Sequence, residues 1–263
     1  MNQKERTKVL ICLAVLAGLF LLTSITRAAV TTTPFSENVP ILMYHYIESP
    51  TATTSLPGLY LPTAVFANQL QELRRYHANP VFVSEIAASL RSEKKLPPYS
   101  MALTFDDGYQ DFYTNAFPLL KKYKMKATLY IIINKLDKPG YLTKAELKEL
   151  AESGLVEIGS HTFNHPDLRA LKAKNAKFEI ASSKIELEKR LGQLIPTFAY
   201  PFGYYAGEQL AIVKAIGYEA AVSVNPGSRH STQDLFALKR IRPGSRGGSE
   251  FVKWLFSWYN SKY

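Results

Sequence analysis

Beyond residue 40 the chain alternates short apolar runs with amphipathic stretches, a pattern that predicts strands and helices taken in turn. Ile41-Leu42-Met43-Tyr44-His45-Tyr46 is the first strand candidate, and a Pro-, Thr- and Ser-rich loop follows over residues 49–62. Thr63 is expected to cap a helix that carries Phe66, Leu70 and Leu73 at helical spacing. Val81-Phe82-Val83 predicts a short strand, with Ser84 capping a helix through Leu90. After Pro97-Pro98 come a strand over 101–105 and a helix over 111–124, with Phe112, Ala116, Leu119 and Leu120 facing inward. Residues 127–133 form the most strongly β-like run. Thr143 and Glu146 have capping-box spacing, and Gly154 stops the helix they open. A strand over 156–160 and a long charged helix over 172–191, ending at Gly192, come next. Strands over 197–200, 220–224 and 238–241, with a helix over 207–216, complete the pattern. Such alternation argues for parallel strands joined by crossover helices, and the number of units predicts a barrel of the (β/α) kind without a second domain.

Composition agrees with a packed core: 46% of the 263 residues are hydrophobic and 12% are aromatic. The net charge of +10 raises the question of nucleic acid, but the basic residues are scattered singly with no nucleic-acid-reading motif beside them. No nucleic-acid partner is therefore expected, and the basic surface suits an anionic cell envelope. At the N-terminus, Lys4, Arg6 and Lys8 precede an apolar run over 9–22 and then Ala28-Ala29, the layout of a secretory signal. The expected organisation is a signal peptide or membrane anchor over 1–29, a linker over 30–39 and one catalytic domain over 40–263, working as a monomer. A secreted or cell-surface location follows from that reading. The sole cysteine, Cys12, lies within the signal, which excludes thiol catalysis and cysteine-based metal sites in the domain.

Chemistry concentrates at predicted strand ends, where barrels of this kind carry their reactive groups. His45 ends the first strand; Asp106-Asp107-Gly108 closes the 101–105 strand; His161 and His165 follow the 156–160 strand; Tyr200-Pro201-Phe202-Gly203 follows another. Adjacent carboxylates at a buried strand end need a cation, donors or water to offset their charge. One carboxylate with two imidazoles leaves positions open on a divalent ion such as zinc, the pattern of a catalytic site. The second Asp is then free to act as a base. His77 and His230 have no polar company that suggests a site.

Thr104-Phe105-Asp106-Asp107-Gly108 and His161-Thr162-Phe163-Asn164-His165-Pro166 resemble the first two motifs of the polysaccharide deacetylases (carbohydrate esterase family 4, NodB homology domain). The Ala127-Thr128 strand and Phe198-Ala199-Tyr200-Pro201-Phe202-Gly203 follow in the family's order. The resemblance runs from about Pro40 to Arg242. It implies a distorted (β/α)7 barrel and a metal-dependent hydrolase that removes acetyl groups from a sugar polymer. Carried over, Asp106 is the base; Asp107, His161 and His165 hold a divalent ion, zinc ahead of cobalt or nickel; and the Phe202 N–H, beside Tyr200, holds the oxyanion. Two departures stand out. Ala199 occupies the place of the family's usual Arg, and no histidine follows Arg242 to supply the usual late Leu-x-x-His element. With Met43-Tyr44-His45-Tyr46-Ile47, these departures resemble a circularly permuted branch that contains poly-β-1,6-N-acetylglucosamine deacetylases. In that arrangement His45 becomes the general acid, and Arg240 is the candidate to replace the missing Arg by pairing with Asp106. The implied partner is an extracellular N-acetylglucosamine polysaccharide; peptidoglycan or chitin-oligomer deacetylation and catalytically silent glycan binding are the alternatives.

Overall fold

Strands apolar on both faces are what parallel sheets bury, and two runs of this kind form the centre of the fold. In the computed structural model, which describes residues 35–261, every residue of Ser100–Phe105 and of Ala127–Ile131 is buried. In chain order the elements are β1 (Ser36–Asn38), β2 (Ile41–Tyr44), α1 (Thr63–Arg75), β3 (Asn79–Pro80), α2 (Val83–Ser92), β4 (Ser100–Phe105), α3 (Phe117–Tyr123), β5 (Ala127–Ile131) and α4 (Lys144–Glu152). They continue as β6 (Val156–Ser160), α5 (Ala173–Leu191), β7 (Thr197–Ala199), α6 (Gly207–Ile216), β8 (Ala220–Val222), β9 (Arg229–Ser231) and α7 (Gly248–Tyr259). The main sheet runs β2-β4-β5-β6-β7-β8, with β3 beside β4, and its pairings are parallel. β1 and β9 form a separate antiparallel pair.

The segment expected as a strand over 238–241 is not a regular strand, yet it occupies the gap between β8 and β2. It makes one parallel bridge to each edge, Val222↔Leu238 and Leu42↔Ile241. The Ser223 N–H donates to the Leu238 carbonyl at 2.8 Å and the Met43 N–H to the Ile241 carbonyl at 2.9 Å. The curled sheet with its surrounding helices is thus a distorted (β/α) barrel, as the resemblance implies.

Local chemistry accounts for where the elements start and where expectation misses. Thr143 and Glu146 form the expected capping box: each side chain accepts the other's backbone N–H, at 3.2 and 2.8 Å. Thr63 is the first residue of α1 rather than its cap, and its hydroxyl donates to the Ile47 carbonyl at 2.8 Å. The strand expected over 81–83 lies two residues earlier. Glu85 accepts the Phe82 N–H at 2.7 Å, so Phe82 caps α2 and Val83 already belongs to the helix. The helix expected over 111–124 opens as a π turn over Phe112–Ala116 before α3, which turns Phe117 fully inward and leaves Leu119 half-buried.

Among the described residues no helix is long and apolar enough to cross a membrane. The expectation of a secreted or cell-surface protein held by an N-terminal anchor is therefore withdrawn. The apolar run over 9–22 on which it rested, with Cys12, lies outside the described residues.

The core directly beneath the strand ends is aromatic. Phe105 stacks on Tyr44 at 5.1 Å between centroids and meets Phe66 and Phe112 edge-on at 5.7 and 4.8 Å. Phe105→Ala should lower unfolding free energy by about 3–5 kcal/mol in urea titrations, the usual loss for emptying a buried aromatic site.

Candidate active site

Asp106 directly follows β4, with its N–H on the Tyr44 carbonyl at 3.1 Å. The chain then takes two consecutive left-handed residues, Asp107 at φ 77° and Gly108 at φ 76°. That turn brings the second carboxylate back to the same end of the barrel, where a regular strand would have sent it to the opposite face. Gly108 is required there: besides its φ, a Cβ would lie 2.9 Å from the Ile131 Cδ1.

The two carboxylates have different partners. Asp106, 4% exposed, receives a bidentate pair from the buried Arg240, whose Nη1 and Nη2 donate to its Oδ1 and Oδ2 at 2.7 and 2.8 Å. Burial alone would raise the Asp106 pKa, but the charge and hydrogen bonds of Arg240 overturn this and hold it well below the ordinary carboxylate range. Arg240 is itself fixed by bonds from Nε to the Ser223 carbonyl at 2.8 Å and from Nη1 to the Thr104 hydroxyl at 3.2 Å.

Asp107 Oδ1 is buried and accepts no hydrogen bond. It faces the Nε2 of His161 at 3.4 Å and the Nε2 of His165 at 3.6 Å. The ligand atoms of these three residues lie within 4.8 Å of one another. His161 donates its Nδ1–H to the Ala199 carbonyl at 2.7 Å, which leaves Nε2 as the nitrogen directed at the site. Burial, with His161 nearby, pushes the His165 imidazole down to about 4, so it is neutral and able to ligate. An orphaned buried carboxylate oxygen converging with two imidazole nitrogens fits a divalent cation, with room left for water and substrate.

His45 places its Nε2 3.9 Å from Asp106 Oδ2, on the same side of the barrel. Burial lowers its pKa against the opposing pull of Asp106 and Asp107. Phe202 sits in the turn after β7 at φ 58°, is 54% exposed, and has its ring 4.7 Å from His165. The turn depends on Gly203, at φ 72°, where a Cβ would meet Val224 at 2.3 Å. Tyr200, expected beside Phe202, is instead buried in the core, with its hydroxyl on the Phe236 carbonyl at 3.0 Å and its ring stacked on Tyr205 at 4.9 Å between centroids. His230 is likewise a core residue bonded to the Val39 carbonyl, and His77 is an exposed turn residue.

Several site-building residues escape sequence reasoning. The Ile47 peptide, two residues beyond His45, is gripped on both sides. Asp111 accepts its N–H, and Asn115 and Thr63 donate to its carbonyl at 2.9 and 2.8 Å. Burial raises the Asp111 carboxyl to about 6. The π turn sets Asp111 and Asn115 on Ile47, and nothing in a helical apolar period announces such a turn. Tyr46, Tyr60, Tyr109 and Tyr141 form an aromatic cluster beginning beside His45 and running past Gly108. Tyr46 lies 4.1 Å from Tyr60 and 3.7 Å from Tyr109, and Tyr109 lies 5.1 Å from Tyr141, between centroids.

The Arg240 pair makes a signed prediction. Because the folded Asp106 pKa is depressed, the pair stabilises above the ordinary carboxylate pKa and is lost only as pH falls through the depressed value. Arg240→Met leaves a buried carboxylate without its cation. Its stability deficit should be about 3–5 kcal/mol at pH 7, remain substantial at pH 4, and narrow only as pH falls further, toward about pH 2. Urea titrations across that range check this; a deficit independent of pH would contradict it.

Comparison with known proteins agrees with this geometry. Residues 93–221 match the family model described as polysaccharide deacetylase. The chain is 34% identical over 213 residues to YxkH of Bacillus subtilis (strain 168), a polysaccharide deacetylase by name, covering 80% of this chain and 74% of that one. It is 29% identical over 189 residues to the poly-β-1,6-N-acetyl-D-glucosamine N-deacetylase of Staphylococcus aureus (strain MRSA252), covering 67% of this chain and 65% of that protein, so just under two thirds of that relative is spanned. The structure of the Streptococcus pyogenes deacetylase PplD in complex with acetate superposes with a TM-score of 0.78 at 31% identity, covering 85% of this chain and 99% of that one. The chain belongs to the polysaccharide deacetylases, carbohydrate esterases that hydrolyse N-acetyl amide bonds.

Proposed function

We propose that the chain is a metal-dependent N-deacetylase of an N-acetylglucosamine polymer, with poly-β-1,6-N-acetylglucosamine the favoured substrate. The observation that carries this reading is the division between the adjacent carboxylates: Asp106 is paired with Arg240, whereas Asp107 Oδ1 is left to face two imidazoles. The polymer is suggested by the name of the Staphylococcus aureus relative. Asp107, His161 and His165 would hold a divalent ion, zinc ahead of cobalt or nickel, which would serve as a Lewis acid toward water and the acetyl carbonyl.

The chain's own residues divide the work. Asp106, kept ionised by Arg240, accepts the proton released by the attacking water. The water oxygen bonds to the acetyl carbon, the carbon–nitrogen bond breaks, and His45 gives a proton to the departing amine. Burial makes protonated His45 a readier acid than free imidazole. His45, at the end of the first barrel strand and 3.9 Å from Asp106, is the acid that a permuted chain order would use. The Phe202 N–H, presented by a left-handed turn beside His165, is the donor for the carbonyl oxygen as it gains charge.

Zinc-loaded protein should release acetate from poly-β-1,6-N-acetylglucosamine faster than from chitin oligomers or peptidoglycan. A chelator should stop the release and added zinc restore it. Faster release from either rival polymer would reassign the substrate, and none from all three would overturn the reading. His45→Ala should lower kcat by about 10²–10⁴-fold with little change in KM, as expected for loss of a general acid.

A further inference from the structure

The loop that carries both histidines is held from outside by a residue of α5. Glu179 is 7% exposed, and both its carboxyl oxygens accept hydrogen bonds from that loop. Oε2 accepts the Phe163 and Asn164 backbone N–H groups at 3.1 and 2.8 Å, and Oε1 accepts Asn164 Nδ2 at 2.7 Å. These donors of the loop are what compensate the buried acid. The loop needs holding. Thr162 at φ 69° and His165 at φ 63° both lie in the left-handed region, which L side chains avoid and β-branched Thr avoids most. From the other side, Asn134 donates its backbone N–H to the Phe163 carbonyl at 2.9 Å and its Nδ2 to Asn164 Oδ1 at 2.9 Å.

We infer that Glu179 is a positioning residue for metal binding. By fixing the 163–164 peptides it holds His161 and His165 in the strained geometry that turns both imidazoles toward Asp107. This rests on reading those three residues as metal ligands. The placement of Glu179 on α5 accords with such a role. Ala176, Ile180, Ser183 and Leu187 share its buried stripe, where an apolar residue would otherwise pack. A carboxyl group on that stripe is stabilised only while the loop keeps its donors in place.

Zinc titration of the metal-free protein, in competition with a chromophoric chelator, separates this role from general stabilisation. Glu179→Ala should weaken zinc binding by about tenfold or more, the usual scale for removing a group that orients metal ligands. Thermal melting should still be cooperative, and most of the kcat deficit should disappear at saturating zinc. Glu179→Gln, which keeps an acceptor for the two backbone N–H groups, should lie between wild type and Ala. Asn164→Ala, at an exposed position, removes one of the three bonds to Glu179 together with the Asn134 side-chain bond, and should weaken zinc binding measurably. If Glu179→Ala fails to fold, the Gln and Asn164 variants decide. Wild-type zinc affinity in both, with the wild type itself binding zinc, overturns the positioning role alone. A wild type that binds no zinc overturns the metal reading with it.

Discussion

Arg240 carries a permanent charge into the barrel interior, and the site depends on how that charge is met. Three of its nitrogens are engaged, by the Ser223 carbonyl, the Thr104 hydroxyl and both oxygens of Asp106. An ion pair this deep is a poor source of net stability, because desolvation consumes much of what the charges gain. Its effect lies in assignment. A carboxylate gripped at both oxygens by guanidinium is ionised and directionally fixed, and the cation already beside it disfavours a second one. On the proposed reading, the metal-binding role therefore falls to Asp107. Arg240 reaches this place because its segment bridges β8 and β2 and projects its side chain inward where the sheet closes on itself.

A second constraint is backbone strain gathered at strand ends. Asp107, Thr162, His165 and Phe202 all have positive φ without being glycine, and each follows the end of β4, β6 or β7 within a few residues. Such conformations persist where surrounding structure over-determines them. Here the supports are identifiable: Gly108 completes the first turn, Glu179 and Asn134 hold the histidine loop, and Gly203 against Val224 allows the third. These turns re-aim side chains and N–H groups that regular strands would scatter over two faces.

Much of this is legible in the sequence. The apolar runs mark the parallel strands, the Asp-Asp-Gly and His-x-x-x-His groups mark two strand ends, and the missing Arg at Ala199 points toward Arg240. What stays hidden depends on contacts distant in sequence. Glu179 lies sixteen residues beyond Phe163, and its one signal is a charge on the buried stripe of a predicted helix. Asp111 and Asn115 act through a π turn that a 3.6-residue period does not reveal. Tyr200 differs from expectation because motif proximity says nothing of direction: its ring turns into the core while Phe202, two residues on, turns out. The β3 displacement comes from Glu85 capping Phe82, a local hydrogen bond that outcompetes β-propensity.

The central claim is that adjacent carboxylates have different work, and metal binding to paired isosteric variants tests it most directly. Zinc stoichiometry and affinity would be measured for Asp106→Asn and Asp107→Asn beside the wild type. The account predicts one zinc per chain at near wild-type affinity in Asp106→Asn, which should nonetheless be inactive, and at least about tenfold weaker binding in Asp107→Asn. Equal loss of zinc in both variants, or retention in Asp107→Asn alone, would contradict it.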